Sequence, residues 1–181
     1  MLELSRIKNE YSDYDLRRVR YFYTCLLYEV SKFIIIGGFF CLFGLLPEYF
    51  FSVLFICPLR ILSGGLHFRS YLGCLLFSIL YFSVSIMPFW NYHPTKGTAL
   101  FLLLLFAIIN IVMGPITSDQ RPEPSVDIKT VKKQRLLILF IMYFIFFFLS
   151  KYSRFFFLAN RLLLLHSIQM MVSFIRKEVA R

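Results

Sequence analysis

Six apolar runs, at residues 21–46, 49–57, 71–90, 99–113, 136–149 and 155–174, set the terms for everything this chain can fold into. In hydrocarbon a backbone must satisfy its own polar groups, and a helix needs roughly 20 apolar residues to cross a core of about 30 Å. The reading is therefore all-α. It is a polytopic integral membrane helical bundle of four full spans plus two short or re-entrant helices, with six crossings in total if both cross. The run at 49–57 lies between Pro47-Glu48 and Pro58 and is too short for a comfortable span, so a tilted or re-entrant segment is expected there. The last run, 155–174, carries Asn160 and Arg161 and is the second that need not cross fully. Hydrophobic residues make up 59% of the 181, with 23 Phe, against roughly 45–50% in soluble domains.

The polar interruptions organise the chain. Residues 1–21 place Leu4, Ile7 and Tyr11 on one helical stripe amid charges, which suits an amphipathic helix lying in the interface, although a frayed polar terminus has the same composition. The run at 71–90 ends at Pro88 with Trp90 and Tyr92 as an interfacial aromatic belt. Residues 117–135 form the main polar loop: Pro122 and Pro124 keep its first half irregular, and after Ser125 a basic helix carrying Lys129, Lys132, Lys133 and Arg135 runs into the membrane. Lysines and arginines collect at the N-terminus, around Arg60 and Arg69, in 117–135 and in the tail, so these face the cytoplasm, leaving Lys96, Lys151 and Arg154 outside. The formal net charge of +10 follows from that rule and from anionic headgroups; no basic, aromatic-interleaved soluble segment suggests nucleic acid. No cleavable signal peptide is expected from the polar first 21 residues. Within the runs, Glu29 and Lys32 are spaced to pair on one helix face. Lys32, Arg154 and Arg161 are expected to snorkel, and Glu29 and Asn110 to hydrogen-bond between helices.

Cys25, Cys41 and Cys57 read as small apolar residues within the runs. Cys74 differs because it ends the one stretch, 60–74, that gathers Arg60, Ser63, Gly64, Gly65, His67 and Arg69 in otherwise apolar sequence. A thiol becomes a strong nucleophile as thiolate, and a histidine can take its proton. On one unbroken helix His67 and Cys74 would be roughly 10 Å apart along the axis, too far for a direct hydrogen bond. The helix must then begin between them, with Gly64-Gly65 making a tight turn and Cys74 on the first turns of the next span. The glycine turn could also expose backbone N–H groups to an oxyanion, and Ser63, Ser70, Glu29 or Asn110 could orient the imidazole. From spacing alone, a structural or re-entrant loop in a small channel, transporter or scaffold competes with a catalytic one. His93 and His166 read as packing or interface residues, with no spacing that supports a metal site.

The ordered pattern Arg60-x-x-Ser63-Gly64-Gly65-x-His67, followed after six residues by Cys74, resembles the signature of the accessory gene regulator B (AgrB) family. The length, the basic N-terminal region and the Pro-containing basic loop are also similar to that family. The resemblance implies a single membrane-embedded peptidase domain over residues 1–181, with its active-site loop and helix start at 60–74 near the cytoplasmic face of the bacterial cell membrane. It implies Cys74 as nucleophile and His67 as general base of a membrane cysteine endopeptidase. That enzyme would cleave a quorum-sensing autoinducing-peptide precursor through a Cys thioester, released by thiolactone or lactone cyclisation. Arg60, Ser63, Gly64, Gly65 and Arg69 would serve geometry or substrate contact. The partners implied are a small propeptide with an amphipathic helix and an acidic tail, and membrane lipids; a homodimer is left open, and no cofactor or metal is expected. One departure is Phe68, where the family commonly has a small residue, which bears on pocket shape more than on chemistry.

Overall fold

The computed structural model describes residues 13–66, 70–87, 93–116, 125–151 and 153–179. Six helices follow in chain order among them: α1 Asp13–Leu42, α2 Leu46–Ser63, α3 Tyr71–Ile86, α4 Lys96–Met113, α5 Val126–Leu149 and α6 Arg154–Val179. Successive helices run antiparallel: Phe40 near the end of α1 stacks on Tyr49 near the start of α2, and Lys96 at the start of α4 donates to the Phe148 carbonyl at the end of α5 at 3.5 Å. The end of α2 and the residues just after α4 meet at one end of the bundle through Gly64 and Ile116. The starts of α2 and α6 meet at the other through Glu48 and Arg154.

Local chemistry explains the starts. Ser70 caps α3 by accepting a hydrogen bond from the Gly73 N–H at 3.1 Å, and Thr95 caps α4 through the Thr98 N–H at 3.3 Å. Ser125 is the N-cap residue of α5, which begins at Val126 and carries the basic residues into the apolar run, as the sequence suggests. Residues 13–21 form the first turns of α1 without a break, while residues 1–12 of the expected interfacial helix lie outside the described residues. Residues 117–124 of the basic loop also lie outside them.

Four helices are long and apolar enough to cross a bilayer: α1 over Val19–Leu42, α2 over Leu46–Ser63, α4 over Lys96–Met113 and α6 over Arg154–Glu178. Their number matches the expectation, but their identities differ at four places, one of them α5, which carries the run at 136–149 expected as a full span and is not among the four. The run at 49–57 is not a short segment, because α2 continues through Pro58 for 18 residues. Proline removes one N–H and crowds the carbonyl four residues back, which neighbouring helices can tolerate in a membrane bundle. Here Leu59 and Ser63, beyond the proline, are both fully buried, and this packing keeps α2 helical to its end. The last run also forms a full-length helix, buried more than any other span. Conversely α3 has only 16 residues, about 24 Å at 1.5 Å per residue, so it is shorter than the clean span expected at 71–90; residues 88–90 lie outside the described residues.

α2 and α6 form the centre. α2 packs on α5, α6, α1 and α3, and α6 also packs on α4 and α3, leaving α1 against α2 and α3 at the periphery. Without a hydrophobic drive between helices in lipid, shape and buried hydrogen bonds hold such a bundle. Phe55 stacks on Tyr143 with centroids 4.3 Å apart, and the Tyr143 hydroxyl donates to the Phe55 carbonyl. Tyr49 stacks on Phe40 at 5.5 Å, and the Tyr81 hydroxyl donates to the Leu162 carbonyl at 3.1 Å. Asn110 donates to Ser167 Oγ at 3.2 Å, an interhelical bond of the kind expected of it.

The cations expected to snorkel behave differently from one another. Arg154 pairs with the buried carboxylate of Glu48 at 2.6 Å and lies over the Phe155 ring. Arg161 donates to the Met87 carbonyl at 3.4 Å. Lys32 does not reach for the interface at all. It lies mid-way along α1 and is buried, 8% exposed, because an anion and a thiol meet it there.

Candidate active site

The stretch singled out in the sequence forms the junction of α2 and α3. Arg60 is half-buried in the last turn of α2, and its carbonyl accepts from the Gly64 N–H at 3.0 Å, which closes the helix. Gly64 then takes φ +87° and ψ −150°, and Gly65 takes φ +153°. The first conformation is essentially open only to glycine. The turn is anchored from outside the stretch. Gly64 bridges in parallel to Ile116, and the Ile116 N–H donates to the Ser63 carbonyl at 2.9 Å. A Cβ on Gly64 would stand 2.1 Å from the Ile116 carbonyl oxygen. Thus the chain after α4 is seated on the glycine turn, and the turn needs two hydrogens where a side chain would be.

Beneath the turn lies α6. Ser63 is fully buried; its hydroxyl donates to the Leu59 carbonyl at 2.7 Å and shares a 2.8 Å hydrogen bond with His166 Nε2. Ser63 is therefore engaged with His166 within the described residues. Gln169 lies against Gly65, its amide nitrogen 3.2 Å from where a Cβ would be, and that amide finds no hydrogen-bond partner among the described residues. His166 and Gln169 escaped the sequence reading as parts of this junction because they lie about a hundred residues downstream in an apolar run. Their spacing of three, on one face of a helix, was the available signal.

α2 ends at Ser63 and α3 begins at Tyr71, three residues before Cys74. Ser70 is engaged as the α3 cap. Cys74 sits half-buried at the fourth position of α3, its N–H donating to the Ser70 carbonyl at 3.1 Å. His67, Phe68 and Arg69 lie outside the described residues. Across from Cys74 stands α1. Lys32 Nζ lies 3.5 Å from Cys74 Sγ and also pairs with the Glu29 carboxylate. Ser31 and the Tyr71 hydroxyl share a 2.7 Å hydrogen bond, and the Tyr28 and Tyr71 rings lie 4.9 Å apart, so α1 is pinned to the first turn of α3. The Glu29–Lys32 pair was legible from spacing; its approach to a thiol 42 positions away was not.

The other candidates are elsewhere. All four cysteines are free, and Cys41 and Cys57 are exposed on the bundle's outer surface. His93 packs edge-on against Phe157 at 4.5 Å, at the opposite end from Cys74. Among the described residues, no three His, Cys, Asp or Glu side chains gather where they could hold a metal ion.

The sequence model described as accessory gene regulator B matches residues 3–174, nearly the whole chain and all of this junction. The chain belongs to the accessory gene regulator B family. An AgrB-like protein of Clostridium beijerinckii is 33% identical over 138 residues, which cover 75% of this chain and 67% of that protein. No solved structure matches the chain. Family membership implies involvement in processing the peptide signal of accessory-gene-regulator quorum sensing, and the four long apolar helices make this AgrB family member a multi-pass membrane protein.

Proposed function

We propose that this chain is a membrane cysteine endopeptidase that cleaves the precursor of an autoinducing peptide and releases it as a ring. The observation that carries this reading is the family match across a junction that ends α2 at the glycine turn and starts α3 at Tyr71, three residues before Cys74.

In this reading His67 takes the Cys74 proton and the thiolate attacks the carbonyl carbon of the scissile peptide bond. The tetrahedral intermediate collapses, the C–N bond breaks, and the imidazolium returns its proton to the leaving amine. The peptide remains as a thioester on Cys74. A Cys or Ser of the same peptide then attacks that thioester, closing a thiolactone or lactone while Cys74 leaves and recovers a proton. The half-buried position of Cys74 suits this sequence, because hydrolysis by water competes with ring closure. Arg60 and Arg69 would hold substrate carbonyl or carboxylate groups, and Gly64 and Gly65 the turn itself.

Arg60, Lys129, Lys132, Lys133, Arg135, Arg176 and Lys177 lie toward the Cys74 end, against Lys96, Lys151 and Arg154 at the other, which supports a cytoplasmic site. The same basic end suits a propeptide with an amphipathic helix and an acidic tail. The test is co-expression of Cys74→Ala with a candidate propeptide. Cleavage and any covalent enzyme–peptide adduct are expected to vanish while the membrane level stays normal; intact processing overturns the reading and leaves a transporter or scaffold.

A further inference from the structure

A lysine half-way along a membrane span needs a reason. Lys32 is ten residues from the end of α1, about 15 Å along the axis, and its side chain is buried rather than extended toward either interface. Its ammonium has two contacts. Glu29, 74% exposed at the side chain, provides the counter-charge, and Cys74 Sγ lies 3.5 Å away. Tyr71, one turn before Cys74 on the same face of α3, is held to α1 by Ser31 and Tyr28. The approach of Lys32 to the thiol is thus built by a helix pair held together one turn before it.

We propose that Lys32 is the positioning residue of Cys74: resting on the nucleophile assignment above, its ammonium holds the sulfur toward α1 and stabilises the negative charge that forms there when His67 removes the proton, with Glu29 as the counter-charge. A cation fixed at a sulfur favours the charge that a nucleophilic cysteine must carry, and Lys32 is the donor to this one. Among the described residues, the other titratable groups toward this end of the helices packed here are Arg20, Tyr21, Tyr23, Cys25 and Tyr28 on α1, Arg60 in the last turn of α2, Tyr71 on α3, and His166, Arg176, Lys177 and Glu178 on α6. Tyr71 is engaged with Ser31 and His166 with Ser63. His67 and Lys32 would then divide the work between proton acceptance and charge stabilisation.

The experiment uses the full chain in lipid nanodiscs with Cys25, Cys41 and Cys57 replaced by Ala, so that Cys74 is the one thiol. The rate of iodoacetamide alkylation is followed by mass spectrometry across pH. With Lys32 present, the inflection is expected below the value of about 8.5 of an ordinary cysteine. Lys32→Met is expected to raise it by at least one pH unit and to slow alkylation at pH 7 about tenfold, since a one-unit shift changes the thiolate fraction by nearly that factor. Lys32→Arg keeps the charge and is expected to stay near the parent. The acid limb of the cleavage profile should move with the alkylation inflection.

An inflection at or above that of an ordinary cysteine with Lys32 in place overturns the proposal without any variant, so a Lys32→Met protein that fails to fold leaves it open to refutation. Superimposed profiles for a folded Lys32→Met protein and its parent also overturn it. The two readings fail separately. If Cys74→Ala still processes propeptide, the nucleophile assignment is wrong whatever the alkylation profile. If Cys74→Ala abolishes processing while the alkylation profile ignores Lys32, only the role of Lys32 falls.

Discussion

Gly64→Ala is the sharpest test of the junction, because the structure says both what the methyl group would strike and what the strike would break. The backbone at Gly64 lies where other residues pay roughly 1–3 kcal/mol for the conformation alone. The new Cβ would meet the Ile116 carbonyl oxygen at 2.1 Å, a backbone atom that cannot swing aside as a side-chain end could. Relief requires parting the turn from residue 116, which loses the 2.9 Å bond from the Ile116 N–H to the Ser63 carbonyl, worth about 0.5–1.5 kcal/mol. The total is about 1.5–4.5 kcal/mol, or a fall in melting temperature of roughly 3–18 °C for a chain of this size. Two other glycines calibrate the result. Gly65→Ala also meets a strained φ, but its Cβ would contact only the end of the Gln169 side chain at 3.2 Å, so a smaller loss is expected. Gly38→Ala, inside α1 with nothing within 4 Å, should be neutral or slightly stabilising, since alanine is the better helix former. Thermal unfolding of the three variants in one detergent, with propeptide processing measured beside it, gives the ranking. If Gly64→Ala melts with Gly38→Ala and processes normally, the seating of residue 116 on the glycine turn is wrong.

Two further substitutions probe what holds the bundle. Arg154→Ala removes the cation from the buried Glu48 carboxylate, which should cost about 1.5–3 kcal/mol, and pairing it with Glu48→Gln should recover part of the lost melting temperature. Ser63→Ala takes the hydrogen-bond partner from His166 Nε2 in a fully buried site and should cost about 1–3 kcal/mol, while Ser63→Thr, which keeps the hydroxyl, should cost less in the same melt.

Much of the architecture is legible in the chain because its determinants are local. Runs of apolar residues specify helices in lipid, and Gly64-Gly65 marks a break that cooperation of His67 with Cys74 would need. The Glu29–Lys32 pair is equally local, lying within one turn. Pro58 misled for the opposite reason. Read locally it ends a run, but the burial of Leu59 and Ser63 against other helices carries α2 through it and gives the junction its position.

What the sequence determined by itself is a membrane-embedded helical bundle with one polar junction bearing a histidine, a glycine pair and a cysteine. What only the tertiary structure decided is the company these residues keep: Lys32 at the Cys74 thiol, His166 at Ser63, Gln169 beneath Gly65 and Ile116 on Gly64. The physical reason lies in the composition of the helices. With Leu and Phe on every side, the spans carry little periodic signal of which face turns inward, so their rotation about their own axes is decided by packing across the bundle. That rotation brings the charged group of one span to the sulfur of another.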